Sequence, residues 1–130
     1  MPPREDNPTI GDDEALWRRI RPEWVHRNPD GTVRPMSVAF QDRLSGEVSF
    51  QRAALTTVEQ VLKDHPHESI AEIRAGLIRS LGYAVSLDPN DPAHVLICPS
   101  PSKAHARLMA GQSRWAFLRV PPSAPSPSSG

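Results

Sequence analysis

The chain has 130 residues, of which 38% are hydrophobic, and its fifteen basic and fifteen acidic side chains give a formal net charge of zero. This length suits one domain of roughly 105 residues with loose ends, and the charge balance argues against the general basic excess of nucleic-acid binders. No apolar run approaches the ~20 residues of a membrane span, and no N-terminal segment resembles a signal peptide. We therefore expect a soluble, cytoplasmic protein.

The two ends of the chain have compositions that disfavour a packed core. Residues 1–12 combine prolines and acids with little to bury, which predicts a flexible tail. Residues 121–130, PPSAPSPSSG, consist of proline, serine, alanine and glycine, which predicts a disordered tail. A single domain is expected over residues 13–120.

The first elements of this domain surround a recognisable turn. Residues 13–20 fit a short helix or a strand, and either must end before Pro22. A β-prone run from Trp24 then leads to residues 28–31, Asn-Pro-Asp-Gly, whose proline and glycine suit a tight turn. Residues 32–34 return antiparallel, so the sequence predicts a β-hairpin.

Two further runs follow the hairpin. Residues 36–40 and 47–51 flank a Ser-Gly turn, and the second run alternates apolar and polar residues as a half-buried strand does. The sheet's buried face is expected to contain Trp17, Trp24, Val33, Phe40, Val48 and Phe50.

The middle of the chain changes to helical signals. Thr56 to Glu59 forms a capping box, and Pro66 ends the helix that it starts. A second capping box, Ser69 to Glu72, predicts a helix with Ile70, Ile73, Leu77, Ile78 and Leu81 on its buried stripe, ended by Gly82.

The last third mixes strands with one more helix. Residues 83–87 and 93–98 read as strands, the second carrying the lone Cys98 as a buried apolar residue. Ser100 and Pro101 predict the start of a third helix that ends at Gly111, with Ala104, Leu108 and Met109 facing inward. Residues 115–120 form the final strand. The predicted fold is α+β, a twisted, mainly antiparallel sheet with two or three helices packed on one face.

Histidines supply two candidate sites. Residues 64–68, Asp-His-Pro-His-Glu, offer imidazole and carboxylate ligands for a metal, with His94 or His105 as a third donor. The alternative, which we favour, is that His65 and Glu68 complement helix dipoles, so no metal site is predicted. His94 opens an apolar strand, where it serves either as a proton shuttle or as a structural residue.

Arginines concentrate in the first half of the domain. Arg18, Arg19, Arg21, Arg27 and Arg34 are candidates for an anion-binding face, with Arg27 and Arg34 expected opposite each other on the hairpin. Trp17 and Trp24 would add stacking surfaces. Against this, nearby acids can neutralise the arginines and the tryptophans can belong to the core.

The segments LWRRIRPEW, RPMSVAFQD, VSF and AEIRAGLIRSLGYAVSLDPNDPAHVLI, within residues 16–120, resemble a group of short uncharacterised bacterial proteins. Their shared R-R-I, S-x-A-F and D-P…P-A-H segments imply a bacterial, cytoplasmic, single-domain protein. The resemblance carries no activity.

A fainter resemblance is to ADP-ribosyltransferase and RES-type toxin folds, which place Arg, Ser and Glu around NAD. Arg18 or Arg19 and Ser37 or Ser49 match this set, whereas the catalytic Glu has no counterpart and the chain is short for the fold.

Two functions follow from these observations, and no cofactor is predicted. The first is a non-enzymatic binding or accessory module for a protein or other acidic partner, with Arg18, Arg19, Arg27 and Arg34 as binding residues and no membrane or nucleic-acid role. The second is a small NAD- or nucleotide-using enzyme with Arg19, Ser49 and His94 as catalytic candidates, which requires these three to converge on a cleft.

Overall fold

A computed structural model describes residues 5–119 of the chain. The fold is α+β, with a six-stranded sheet in which every neighbouring pair is antiparallel, in the order β6-β7-β4-β1-β5-β8, and a separate hairpin of β2 and β3. The strands are β1 (Ala15–Ile20), β2 (Val25–Arg27), β3 (Val33–Pro35), β4 (Val48–Arg52), β5 (Ser69–Arg74), β6 (Ser86–Asp88), β7 (Asp91–Ile97) and β8 (Arg114–Phe117). The helices are α1 (Val58–Val61), α2 (Ala75–Ser80) and α3 (Lys103–Gln112). The α+β prediction is confirmed.

The segment predicted as the second helix is mostly a strand. Residues 69–74 form β5, which pairs with β1 on one side and with the edge strand β8 on the other. All but the last of its residues are buried, because side chains on both faces are covered. A strand covered on both faces has no period of two, and its apolar run reads equally well as a helix. The helix is confined to Ala75–Ser80, and the capping-box prediction at Ser69 is wrong.

The hairpin is confirmed, with a corrected register. Gly31 has a φ of +90°, the conformation that glycine adopts without strain. His26 pairs with Arg34, and Arg27 pairs with Val33. The two arginines are therefore not opposite each other.

Of the two runs that flank the Ser-Gly turn, only the second is a strand, because Ser37–Phe40 in the first is a 3₁₀ helix with Ala39 and Phe40 buried. The N-caps of α1 and α3 are Thr57 and Ser102, each accepting a backbone N–H three residues on, instead of Thr56 and Ser100. The two N-caps therefore lie one and two residues after their predicted positions, and the exact first residue of a helix is difficult to predict from sequence.

The third helix turns a different face inward from the one predicted. Ala106, Met109 and Ala110 are buried, whereas Leu108 is half-exposed. The strands after residue 83 begin or end a few residues from their predicted bounds. Cys98 is buried, as its apolar surroundings predict.

The core includes part of the predicted N-terminal tail. Ile10 is fully buried in the main hydrophobic cluster, and the Asn7 backbone N–H donates to the Val85 carbonyl at 2.8 Å. Residues 5–12 therefore pack against the domain, because one apolar side chain and a few hydrogen bonds anchor an otherwise polar segment. The predicted tail over residues 121–130, like residues 1–4, lies outside the described residues. No helix among residues 5–119 is long and apolar enough to cross a membrane.

Candidate functional site

A cavity of about 820 Å³ opens beside the end of β1. We call it the basic groove. Its walls come from β1 and the residues after it, the 3₁₀ helix at residues 37–40, the turn after that helix, β4, the loop before β5 and the start of α3. It is lined by Arg18, Arg19, Arg21, Trp24, Ser37, Val38, Gln41, Asp42, Arg43, Leu44, Ser49, His65, Glu68 and Lys103.

Cations outnumber carboxylates in this lining. The five cations are Arg18, Arg19, Arg21, Arg43 and Lys103, and the two carboxylates are Asp42 and Glu68. Within residues 5–119, only one of the five cations, Arg19, lies within ion-pair distance of a carboxylate, that of Glu68 at 3.2 Å. The groove therefore carries positive charge that the described part of the fold does not neutralise by direct contact.

Arg18 lies at the inner end of the groove and is bound by backbone carbonyls. Its Nε donates to the Ala39 carbonyl at 2.8 Å, and its Nη1 donates to the Ser49 carbonyl at 3.1 Å. Burial, and after it the neighbouring charge of Arg19, lowers the pKa of Arg18 to about 10. The guanidinium remains protonated at neutral pH, in surroundings that favour an added negative charge.

Arg19 takes part in a three-residue cluster with His65 and Glu68. Its Nη1 lies 2.6 Å from the His65 Nε2 and 3.2 Å from the Glu68 Oε1. A guanidinium only donates, so the His65 Nε2 must accept, and the ring proton then belongs on Nδ1, which lies 3.4 Å from the Glu68 Oε2. This cluster places the carboxylate and imidazole of residues 64–68 against an arginine.

Asp42 is committed to its own turn. Its carboxylate accepts the Ser45 backbone N–H at 3.0 Å, and this hydrogen bond holds the pKa of Asp42 below its usual value against a smaller opposing effect of burial. The Asp42 backbone N–H in turn donates to the Ser100 Oγ at 2.9 Å. One of the two carboxylates of the groove is thus already occupied in holding residues 42–45 in place.

The two tryptophans predicted as stacking surfaces are both engaged. Trp24 packs against the core, and the guanidinium of Arg21 lies 4.8 Å from its ring centroid. The Trp17 Nε1 donates to the Glu72 carboxylate at 3.0 Å, and Arg114 donates to the same carboxylate at 2.8 Å. The Trp24 ring is thus already in contact with a guanidinium, which would compete with a stacked base.

The predicted site residues divide between three places. Arg18, Arg19 and Ser49 line the basic groove. Arg34 lines a second cavity of about 340 Å³, and the exposed Arg27 lines neither cavity.

His94 also lies outside both cavities. Its Nδ1 is 2.8 Å from the Asp88 Oδ2, across the β6–β7 turn. The structure therefore brings together two of the three catalytic candidates, Arg19 and Ser49, and places the third on β7 with an acidic neighbour.

Sequence reasoning missed Arg43 and Lys103 as groove residues, and it did not link His65 to Arg19. No local pattern marks them, because they reach the groove from a turn, a helix start and an inter-element loop. The arginine-rich first half of the sequence indicates only the groove residues of β1 and of the segment that follows it.

The possible metal ligands do not assemble. Among residues 5–119, no group of three or more His, Cys, Asp or Glu side chains is placed to hold a metal ion. His105, one of the two third donors considered for the cluster at residues 64–68, has its Nδ1 2.6 Å from the Tyr83 hydroxyl.

Comparison of the chain with protein-family models, with curated proteins and with solved structures gives no match.

Proposed function

We propose that this protein is a non-enzymatic binding module whose basic groove receives an acidic segment of a protein partner. The observation that carries the proposal is the excess of cations in the groove, of which Arg21, Arg43 and Lys103 have no carboxylate of residues 5–119 within ion-pair distance. An arrangement of like charges costs stability unless an anion is bound. A carboxylate-bearing ligand would offset that cost.

The apolar part of the groove favours a peptide as the partner. Leu44 is fully exposed and Val38 is 45% exposed, and both line the groove beside the arginines. Exposed apolar side chains within a basic rim suit a segment that mixes acidic and apolar residues. The engaged Trp24 ring argues against single-stranded nucleic acid, which is held largely by stacking on aromatic side chains.

The proposal is tested with a fluorescein-labelled peptide of glutamate and leucine, titrated with the protein and followed by fluorescence anisotropy. We expect the double variant Arg21→Glu/Arg43→Glu to weaken binding at least about tenfold, because two attractive contacts become repulsive. Lys63→Glu is the control, since Lys63 is exposed and lines neither cavity. Equal affinities of the double variant and the wild type would rule out the groove as the binding site.

A second candidate function is a small nucleotide-using transferase. It is supported by Arg19 and Ser49 lining one groove, with the imidazole of His65 oriented by Glu68 beside them. The test is nicotinamide release from NAD, with Ser49→Ala and Arg19→Ala as variants. Release no faster than in buffer would eliminate this candidate.

We further propose a bacterial, cytoplasmic setting for the module. The support is the resemblance of its R-R-I, S-x-A-F and D-P…P-A-H segments to short bacterial proteins. The proposal invokes no cofactor.

A further inference from the structure

A second cavity adjoins the basic groove. The second cavity, of about 340 Å³, is lined by His26, Arg34, Met36, Ser37, Val38 and Arg107. Ser37 and Val38 also line the basic groove, so the two cavities meet at the start of the 3₁₀ helix Ser37–Phe40. We call this shared boundary the Ser37–Val38 ridge.

The second cavity is also cationic. It contains two arginines and no carboxylate, and neither Arg34 nor Arg107 forms an ion pair with any carboxylate of residues 5–119. Arg34 stands opposite His26 on the hairpin, whereas Arg107 projects from α3. Two unrelated elements thus bring like charges to one cavity, which favours an anion between them.

The ridge is held on a fixed support. The 3₁₀ helix behind it is tied to β1 by the bond from Arg18 to the Ala39 carbonyl at 2.8 Å. Just beyond the helix, the Gln41 side chain donates to the Pro101 carbonyl at 2.9 Å. A ligand crossing this ridge would therefore meet a surface that is already ordered, which lowers the entropic cost of binding.

We infer that the ligand of the basic groove is an extended acidic peptide that crosses the Ser37–Val38 ridge and places a second acidic group against Arg34 and Arg107. This inference rests on the proposed function and adds the shape and charge spacing of the ligand. Val38, 45% exposed, supplies an apolar contact at the crossing point. The ligand accordingly has two acidic clusters separated by apolar residues.

The arrangement of two cationic cavities on either side of an apolar ridge favours a peptide over a polynucleotide as the ligand. A nucleic-acid backbone carries its charges at a regular spacing and relies on phosphate contacts along its whole length. Here the charged cavities are interrupted by an apolar ridge, and Arg21 covers the Trp24 ring on which a base would stack. Acidic side chains flanking apolar ones match that pattern.

The test compares two labelled peptides of identical composition. In one, two glutamate clusters flank a leucine–valine pair, and in the other all glutamates are gathered at one end. For the wild type we expect the split peptide to bind about tenfold more tightly, because it engages both cavities. The double variant Arg34→Glu/Arg107→Glu should remove that advantage and leave the affinity of the gathered peptide within about twofold of the wild-type value.

The remaining outcomes of this test distinguish failure of the inference from failure of the proposed function. Equal affinity of the wild type for both peptides, or a split-peptide advantage that survives Arg34→Glu/Arg107→Glu, overturns the inference and leaves the proposed function standing. Binding of neither peptide overturns both. Tighter binding of an oligothymidylate of equal charge overturns the peptide assignment. Circular dichroism and the thermal midpoint of each variant, with Lys63→Glu as a charge-reversal control outside both cavities, verify that the fold is retained.

Discussion

Replacing Arg18 with methionine separates a structural role of this arginine from its role in the charge of the groove. Methionine keeps an unbranched side chain of similar length but removes the charge and both hydrogen bonds, to the Ala39 and Ser49 carbonyls. The loss of two charge-assisted hydrogen bonds costs about 1.5–3 kcal/mol each. The same change also relieves an unfavourable burial of charge.

The size of that relief follows from the pKa. Burial, with the charge of Arg19 as the next cause, lowers the pKa of Arg18 from its ordinary value to about 10. At about 1.4 kcal/mol per tenfold change in the protonation equilibrium, this corresponds to about 3 kcal/mol against the charged form. We therefore expect Arg18→Met to lower the free energy of unfolding by only about 0–3 kcal/mol.

Arg52 provides the matched comparison. Its guanidinium makes two bonds to the Glu14 carboxylate, at 2.5 and 3.0 Å, and both side chains are largely buried. The bond to Glu14 raises the pKa of Arg52. Arg52→Met leaves that carboxylate without its partner, so we expect a larger loss, near the lower end of the 3–5 kcal/mol typical of a broken buried pair.

Urea unfolding at low ionic strength, followed by tryptophan fluorescence, measures both variants. The expected order is a smaller loss for Arg18→Met than for Arg52→Met, with unchanged dependence of the unfolding free energy on urea concentration. A loss for Arg18→Met above about 4 kcal/mol, or above that of Arg52→Met, would refute the reasoning. Arg18 would then be a net stabilising link between β1 and its neighbours, instead of an uncompensated charge of the groove.

Three further predictions concern the fold around the groove. Trp17→Phe removes the hydrogen bond to the buried Glu72 carboxylate and should cost about 1–3 kcal/mol in urea unfolding; an unchanged midpoint would show that this bond is replaced by water. Phe50→Ala empties a position that is 1% exposed and should cost about 3–5 kcal/mol, and a loss below about 1 kcal/mol would contradict its place in the core. Because the Ser45 backbone N–H lowers the folded-state pKa of Asp42 below 3.8, its stabilisation is present above that pH and is lost as the pH falls through the folded pKa. Asp42→Asn should therefore flatten the acid limb of a stability–pH curve, and an equally steep limb would exclude this contribution.

Local signals in the sequence predict the parts of the fold that short-range chemistry determines. The Asn-Pro-Asp-Gly turn at residues 28–31 specifies the hairpin, and the alternation around Val48 and Phe50 specifies β4. The same local signals predict the wrong structure for β5. Its Ser-x-x-Glu pattern matches a capping box, but Glu72 bonds to side chains of other strands, and the surrounding apolar residues are buried on both faces. Tertiary pairing decides the structure of such a segment.

The candidate site is predictable from the sequence only in part. Arg18, Arg19 and Ser49 line one groove because β1 and β4 are antiparallel neighbours, which places the end of β1 beside the beginning of β4. Arg43 and Lys103 join them from a turn and a helix that lie far apart in the chain. Arg27 and His94 were candidates in the sequence just as Arg19 and Ser49 were, but they line neither cavity. Strand pairing and its register place these two residues outside the cavities, and amino-acid composition does not specify either.

The central claim is that the basic groove binds acidic peptide segments. The most direct test is a titration of ¹⁵N-labelled protein with the split glutamate–leucine–valine peptide, followed by NMR chemical shifts of backbone amides and of the tryptophan indoles. We predict saturable shifts at Ser37, Val38 and the Trp24 indole, with none at the Trp17 indole, which is bonded to Glu72. Saturable shifts confined to residues outside both cavities, or no shifts at millimolar peptide, would contradict the claim.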